Sequence, residues 1–172
     1  VNTLRLTWDA CSDAKSYEVY YYSSIDSRIR RATNTKKTFY NFSKAKCGVT
    51  YYFKVRTWQK IGKEKYYSDY CQEISGMTVL SGAPTISMKK LTFNSIAFKW
   101  SKVKDAKKYE IWYATSPDGD YQLLKTQGGT SFTHKKIATG VMYYYKVRPI
   151  RDYYTGEFSE VFSARPGLDE LK

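Results

Sequence analysis

The chain has 172 residues, enough for one large domain or two small ones, and 17% of them are aromatic, with 18 Tyr, 8 Phe and 4 Trp. That aromatic load excludes intrinsic disorder, and no run of 18 apolar residues exists to span a membrane as a helix. Lys and Arg total 29 against 16 Asp and Glu, a net charge of +13, which favours anionic partners as a class.

The chain opens at Val1 with neither an initiator Met nor a secretory leader, so a piece of a longer product is expected. From there the apolar residues alternate, the pattern of half-buried strands. Leu4, Leu6 and Trp8 form a first inward row, Tyr17, Val19 and Tyr21 a second, and Tyr51, Phe53 and Val55 a third. Turn-forming clusters separate them at 24–27 and 44–48. After a junction punctuated by Gly76, Gly82 and Pro84 the three rows return as Ile96, Phe98 and Trp100, then Tyr109, Ile111 and Tyr113, then Tyr143, Tyr145 and Val147. All three hold one offset, 100 − 8 = 92, which marks a duplicated domain. Near Ser68 and Ser159 the offset is read as 91. Asp118-Gly119 is expected to form a type I′ hairpin turn. No stretch shows a 3.6-residue stripe.

These elements predict an all-β chain of two tandem Greek-key β-sandwiches, over residues 1–79 and 84–166. Sixteen residues separate Pro84 from Trp100 but only seven precede Trp8, so the first strand of the first domain is expected to be truncated. Pro166-Gly167 reads as the start of a further linker. The positive excess is shared, +7 over residues 1–82 (14 − 7) and +6 over residues 83–172 (15 − 9).

The motifs resemble those of fibronectin type III domains over nearly the whole chain. They are a Trp on the second strand (Trp8, Trp100), a Tyr-x-Val-x-Tyr third strand (from Tyr17, with Ile111 for Val in the second copy), and a Gly-x-x-Tyr-x-Phe-x-Val block. That block is matched by Gly48, Tyr51, Phe53 and Val55, then by Gly140, Tyr143, Tyr145 and Val147. Tyr51 and Tyr143 match the tyrosine corner, whose hydroxyl bonds back to upstream backbone. More narrowly, the Tyr- and Lys-rich character resembles repeats of Gram-positive surface proteins. That resemblance implies an extracellular, cell-surface or cell-wall setting and a spacer or adhesive role. The first repeat departs from the second where Ala45 replaces Ile137 and Arg31-Ala32 replaces Leu123-Leu124, so its core is expected to be thinner there.

For sites, alternation sends Tyr20, Tyr22, Tyr52 and Trp58 outward in the first repeat and Trp112 and Tyr144 in the second, among Glu18, Lys54, Arg56, Glu110, Lys146 and Arg148. Aromatics flanked by cations suit sugar stacking or a protein partner. Cross-strand pairing of Glu18 and Glu110 with the neighbouring cations accounts for the same pattern structurally. Trp8, Trp100, Tyr51 and Tyr143 are assigned to the core. The single histidine, His134, lies in a Thr-Lys-rich stretch and is read as a solvated turn residue. No catalytic motif, metal-ligand spacing or cofactor fingerprint occurs. Asp118 and Asp120 are too few for the 6–8 oxygens that Ca²⁺ takes. Asn41-Phe42-Ser43 matches a glycosylation acceptor, which the bacterial resemblance makes incidental. Arg-Gly-Asp is absent, and no helix, finger or RNA-binding motif accompanies the charge to specify nucleic acid. Cys11, Cys47 and Cys71 lack C-x-x-C spacing and are read as three reduced thiols.

The expectation is a non-enzymatic extracellular spacer or adhesion module with a protein, glycan or anionic wall-polymer partner and no cofactor. A carbohydrate-binding module of a secreted polysaccharide-acting enzyme is the alternative.

Overall fold

A computed structural model describes residues 2–167. The residues beyond Gly167, where the sequence suggests a linker, lie outside the described part. All regular structure among the described residues is β, and the chain divides into two compact units between Val79 and Leu80.

In the first unit β1 (Leu4–Thr7) pairs antiparallel with β4 (Phe39–Phe42). The second sheet runs β3 (Asp26–Thr35), β2 (Ser16–Ser23), β5 (Thr50–Ile61), with β6 (Glu64–Tyr67) and β7 (Ile74–Met77) along the far edge of β5. The alternating residues read as inward meet between the sheets, Leu6 from one and Tyr17, Val19, Tyr51, Phe53 and Val55 from the other, and Phe42 on β4 joins them.

The second unit repeats this plan. β8 (Ile86–Thr92), β9 (Ser95–Trp100) and β12 (Ser131–Lys135) form a three-stranded sheet with β9 central. It faces β11 (Gln122–Gln127), β10 (Lys108–Ala114) and β13 (Tyr143–Arg151), with β14 (Tyr154–Thr155) and β15 (Phe162–Ala164) along the far edge of β13. Ile96, Phe98 and Trp100 fill the core against Tyr109, Ile111, Tyr143, Tyr145 and Val147. Even the bulge between Val19 and Tyr20 recurs between Ile111 and Trp112, again at an offset of 92.

β8 has no counterpart among the described residues of the first unit. In the second unit Ile86 lies opposite Trp100, and the Ser101 N–H donates to the Thr85 carbonyl. Trp100 is accordingly only 4% exposed, whereas Trp8, with no such strand beside it, is half-buried. The sequence assigned both to the core; Trp8 packs against it but is only partly buried, where full burial between the sheets was expected.

Three further details settle local geometry. Gly48 and Gly140 both sit at φ near +80°, a conformation that suits glycine, immediately before the tyrosine-corner strands. Neither Asp118 nor Gly119 has positive φ, so the expected type I′ turn is not formed. Instead the Gly119 N–H donates to the Ser116 carbonyl, with Pro117 at the position where its fixed φ suits a type I turn. The last strand also needs correcting. Cys71 and Ser159, not Ser68 and Ser159, are equivalent: each N–H donates to the carbonyl of the matched Val55 or Val147, and each side chain accepts that valine's N–H. The offset there is 159 − 71 = 88, a four-residue insertion in the first unit.

Candidate functional site

The outward face of each larger sheet is assembled from β2 and β5, or β10 and β13, whose registers place Glu18 opposite Arg56 and Glu110 opposite Arg148. In the first unit the Glu18 carboxylate is only 3% exposed although it points out of the sheet. It accepts from Arg56 Nη2 at 2.8 Å, from Arg31 at 3.3 Å and from the Tyr20 hydroxyl at 3.1 Å. Burial pushes its pKa up, but the Arg56, Tyr20 and Arg31 hydrogen bonds outweigh burial and hold it below the ordinary carboxylate range. Arg56 is roofed by aromatics, its guanidinium carbon lying 4.1 Å from the Tyr67 ring centre, 5.0 Å from Tyr70 and 5.5 Å from Tyr20.

The second unit builds the same seam. Arg148 Nε donates to Glu110 at 2.7 Å, and the Trp112 indole N–H donates to the same oxygen at 3.0 Å. Arg148 lies 4.6 Å from the Phe158 ring and 5.3 Å from Trp112, and those two rings meet edge to face. Lys146 sits 3.6 Å above Tyr121.

The remaining candidate residues are also engaged. Tyr22 and Tyr52 stack at 4.7 Å, and the Tyr22 hydroxyl donates to Glu73, which also pairs with Lys54 at 3.4 Å. Tyr144 is half-buried and faces Ala114 across the strands, so the stack is not repeated. The Trp58 indole N–H donates to Asn34, and the Lys65 ammonium lies 4.4 Å from its ring centre. Trp58 also borders a cleft of about 230 Å³ lined by Cys11, Asp13, Gln59, Tyr66 and Ser68. The structure thus brings Tyr20 and Trp112 into equivalent seams and leaves Tyr22–Tyr52 and Trp58 as features of the first unit.

The tyrosine-corner residues hold turns. The Lys46 N–H donates to the Tyr51 hydroxyl at 3.1 Å and the Ala138 N–H to the Tyr143 hydroxyl at 3.0 Å. Tyr17 and Tyr109 do the same for Cys11 and Val103, a second repeated clasp that was not read from the sequence.

His134 is a correction. It lies on β12, not in a turn, and its ring enters the core among Phe132, Tyr113, Tyr143 and Tyr145. Its Nδ1 is 3.0 Å from the Tyr145 hydroxyl. Burial lowers the imidazole pKa and raises that of Tyr145. Among the described residues no group of three His, Cys, Asp or Glu side chains is placed to hold a metal, and none of the three cysteines is in a disulfide.

No protein-family model matches the chain, and no curated protein matches it. Solved structures do. A two-fibronectin type III domain segment of chicken tenascin is 20% identical, with 95% of this chain and 92% of that one covered and a TM-score of 0.62. Looser likenesses are the FN1–FN3 domains of chicken CNTN1 (18% identity, 97% and 61% covered, TM-score 0.49) and the sixth such domain of human fibronectin type III domain containing protein 3 (18%, 56% and 95%, 0.45). The duplicated sandwich, the two strand orders and the likeness to the tenascin segment together identify the fold as two fibronectin type III domains in tandem.

Proposed function

We propose that the chain is a non-enzymatic spacer and adhesion segment of a bacterial cell-surface protein. The supporting observation is the repeated Glu–Arg–aromatic seam. In both units the aromatics and cations that would offer a ligand platform are spent on one another, Glu18 with Arg56 and Glu110 with Arg148. A surface that satisfies itself suits a module whose work is to hold position, and the positive charge left over supplies weak, salt-sensitive attraction to an anionic wall.

The carbohydrate-binding alternative draws on the cleft beside Trp58, where Tyr66, Asp13 and Gln59 combine an aromatic with polar groups. A glycan array probed with the whole chain separates the readings. A blank array, with retention on isolated cell wall that declines smoothly as salt rises, is the spacer's result. A selective hit lost on Trp58→Ala or Trp112→Ala, or turnover of any polysaccharide by the chain, overturns it.

A further inference from the structure

The two faces of the second unit differ in chemistry. On the larger sheet Arg148 and Lys146 are engaged with Glu110, Tyr121 and Phe158. The smaller sheet has no acidic residue at all: β8 reads ISMKKLT, β9 SIAFKW and β12 SFTHK. Ile86, Leu91, Ile96, Phe98, Trp100 and Phe132 turn inward, so alternation turns the hydroxyls and lysines outward.

The pairing register orders that outer face into three rows across the strands. The first is Ser87, Lys99, Ser131, the second Lys90, Ala97, Thr133, and the third Thr92, Ser95, Lys135. Each row holds one lysine, each lysine comes from a different strand, and every row adds one or two hydroxyls, those of Thr92 and Ser95 hydrogen-bonded to each other. Successive rows step two residues along β9 and β12, ~7 Å, while on β8 a bulge between Met88 and Lys90 makes the first step three residues. Lys90, Lys99 and Lys135 are exposed and form no ion pair or ring contact with any described residue. None of the three rows holds an aromatic; the exposed Phe93 stands beyond them, in the β8–β9 turn.

We infer that this face seats an extended phosphodiester polymer with a polyol backbone, one phosphate to a row. Each row presents what a monoanionic phosphate with two non-bridging oxygens needs from a flat surface: an ammonium and neighbouring hydroxyl donors. With no aromatic in the rows, and a single ring at one end, the face lacks the series of stacking platforms that single-stranded nucleic acid and neutral sugar rings use. The inference rests on the adhesion half of the function proposed above and names its surface.

The test uses the whole chain and immobilised poly(glycerol phosphate) at an ionic strength of about 0.15 M, where charges beyond ~8 Å are screened. Lys90→Gln/Lys99→Gln/Lys135→Gln should weaken binding by about tenfold or more. Lys15→Gln/Lys60→Gln/Lys63→Gln, which removes the same charge from the first unit, should change it by less than about twofold. Both triple variants should melt with the wild type. An equal loss in the two variants overturns the assignment, because the binding is then a sum over the whole surface. Equally tight binding of polygalacturonate or oligothymidylate by the wild type overturns the phosphodiester choice. The two readings fail separately: a wild-type chain that ignores the polymer yet is retained on isolated cell wall overturns this face alone, whereas a selective hit on the glycan array overturns the spacer reading.

Discussion

His134 Nδ1 lies 3.0 Å from the Tyr145 hydroxyl, and these two residues occupy the positions held in the first unit by Phe42 and Phe53. Where the first unit has two phenyl rings, the second has a hydrogen-bonded pair of polar rings. Low dielectric strengthens that bond and equally penalises breaking it.

The pair should make the second unit acid-sensitive. Burial depresses the folded-state pKa of His134 below the ordinary ~6.5, so the unfolded chain binds the proton more readily. The stabilisation is complete above pH ~6.5 and is lost as pH falls through that value toward the folded pKa. Calorimetry between pH 8 and 5 should show the second unit's melting temperature falling while the first, which has no histidine, holds steadier. His134→Phe/Tyr145→Phe should abolish the difference. His134→Phe alone strands the Tyr145 hydroxyl and should cost ~1–3 kcal/mol.

Glu18 should be the most sensitive surface-facing position. Glu18→Ala leaves the partly exposed Arg56 under its aromatic roof without a counter-charge, and losing the charged hydrogen bonds should cost ~1–3 kcal/mol. Glu110→Ala should cost less, because the Glu110 side chain is more exposed, at 17% against 4%. Urea unfolding of the two variants measures the ordering, and a larger loss at Glu110 would contradict it.

The two tryptophans should separate in the same way. Trp100→Ala empties a fully enclosed site and should cost ~3–5 kcal/mol. Trp8→Ala removes a half-buried ring that touches Tyr17 but has no strand beyond it, and should cost clearly less. Equal losses in equilibrium unfolding would mean that Trp8 is as well covered as Trp100.

Cys71→Ser should be close to neutral, because Ser159 already performs the same backbone exchange in the second unit. Cys71→Val keeps the bulk but leaves the Val55 N–H without its side-chain acceptor. Comparing the two in urea isolates the hydrogen bond, expected at ~0.5–1.5 kcal/mol.

The fold was legible because the period-2 rows and the 92-residue offset are dense, and tyrosines at fixed spacing allow one register. What was missed depends on partners remote in sequence. Trp8 and Trp100 sit in the same local pattern, and only the strand alongside distinguishes their depth. His134 was hidden by its Thr and Lys neighbours, although the alternation Phe132, His134 and the match to Phe42 did mark it as inward. Glu18 shows the converse: alternation gave its direction, but burial came from Arg56, Arg31 and Tyr20 closing over it. The seam looked like a binding face because the same residue types serve both uses, and only distances show them already engaged.

The cysteines, finally, give the chain two clocks in one half. Cys71 is exposed and held only by edge hydrogen bonds, whereas Cys47 has no accessible surface. A thiol reagent should therefore modify the exposed Cys11 and Cys71 without waiting for the fold to open, and Cys47 only when that unit opens as a whole. The second unit has no cysteine, so it is silent to the reagent. The slow phase then reports the opening equilibrium of one sandwich within the intact tandem, with no label introduced and no domain cut away.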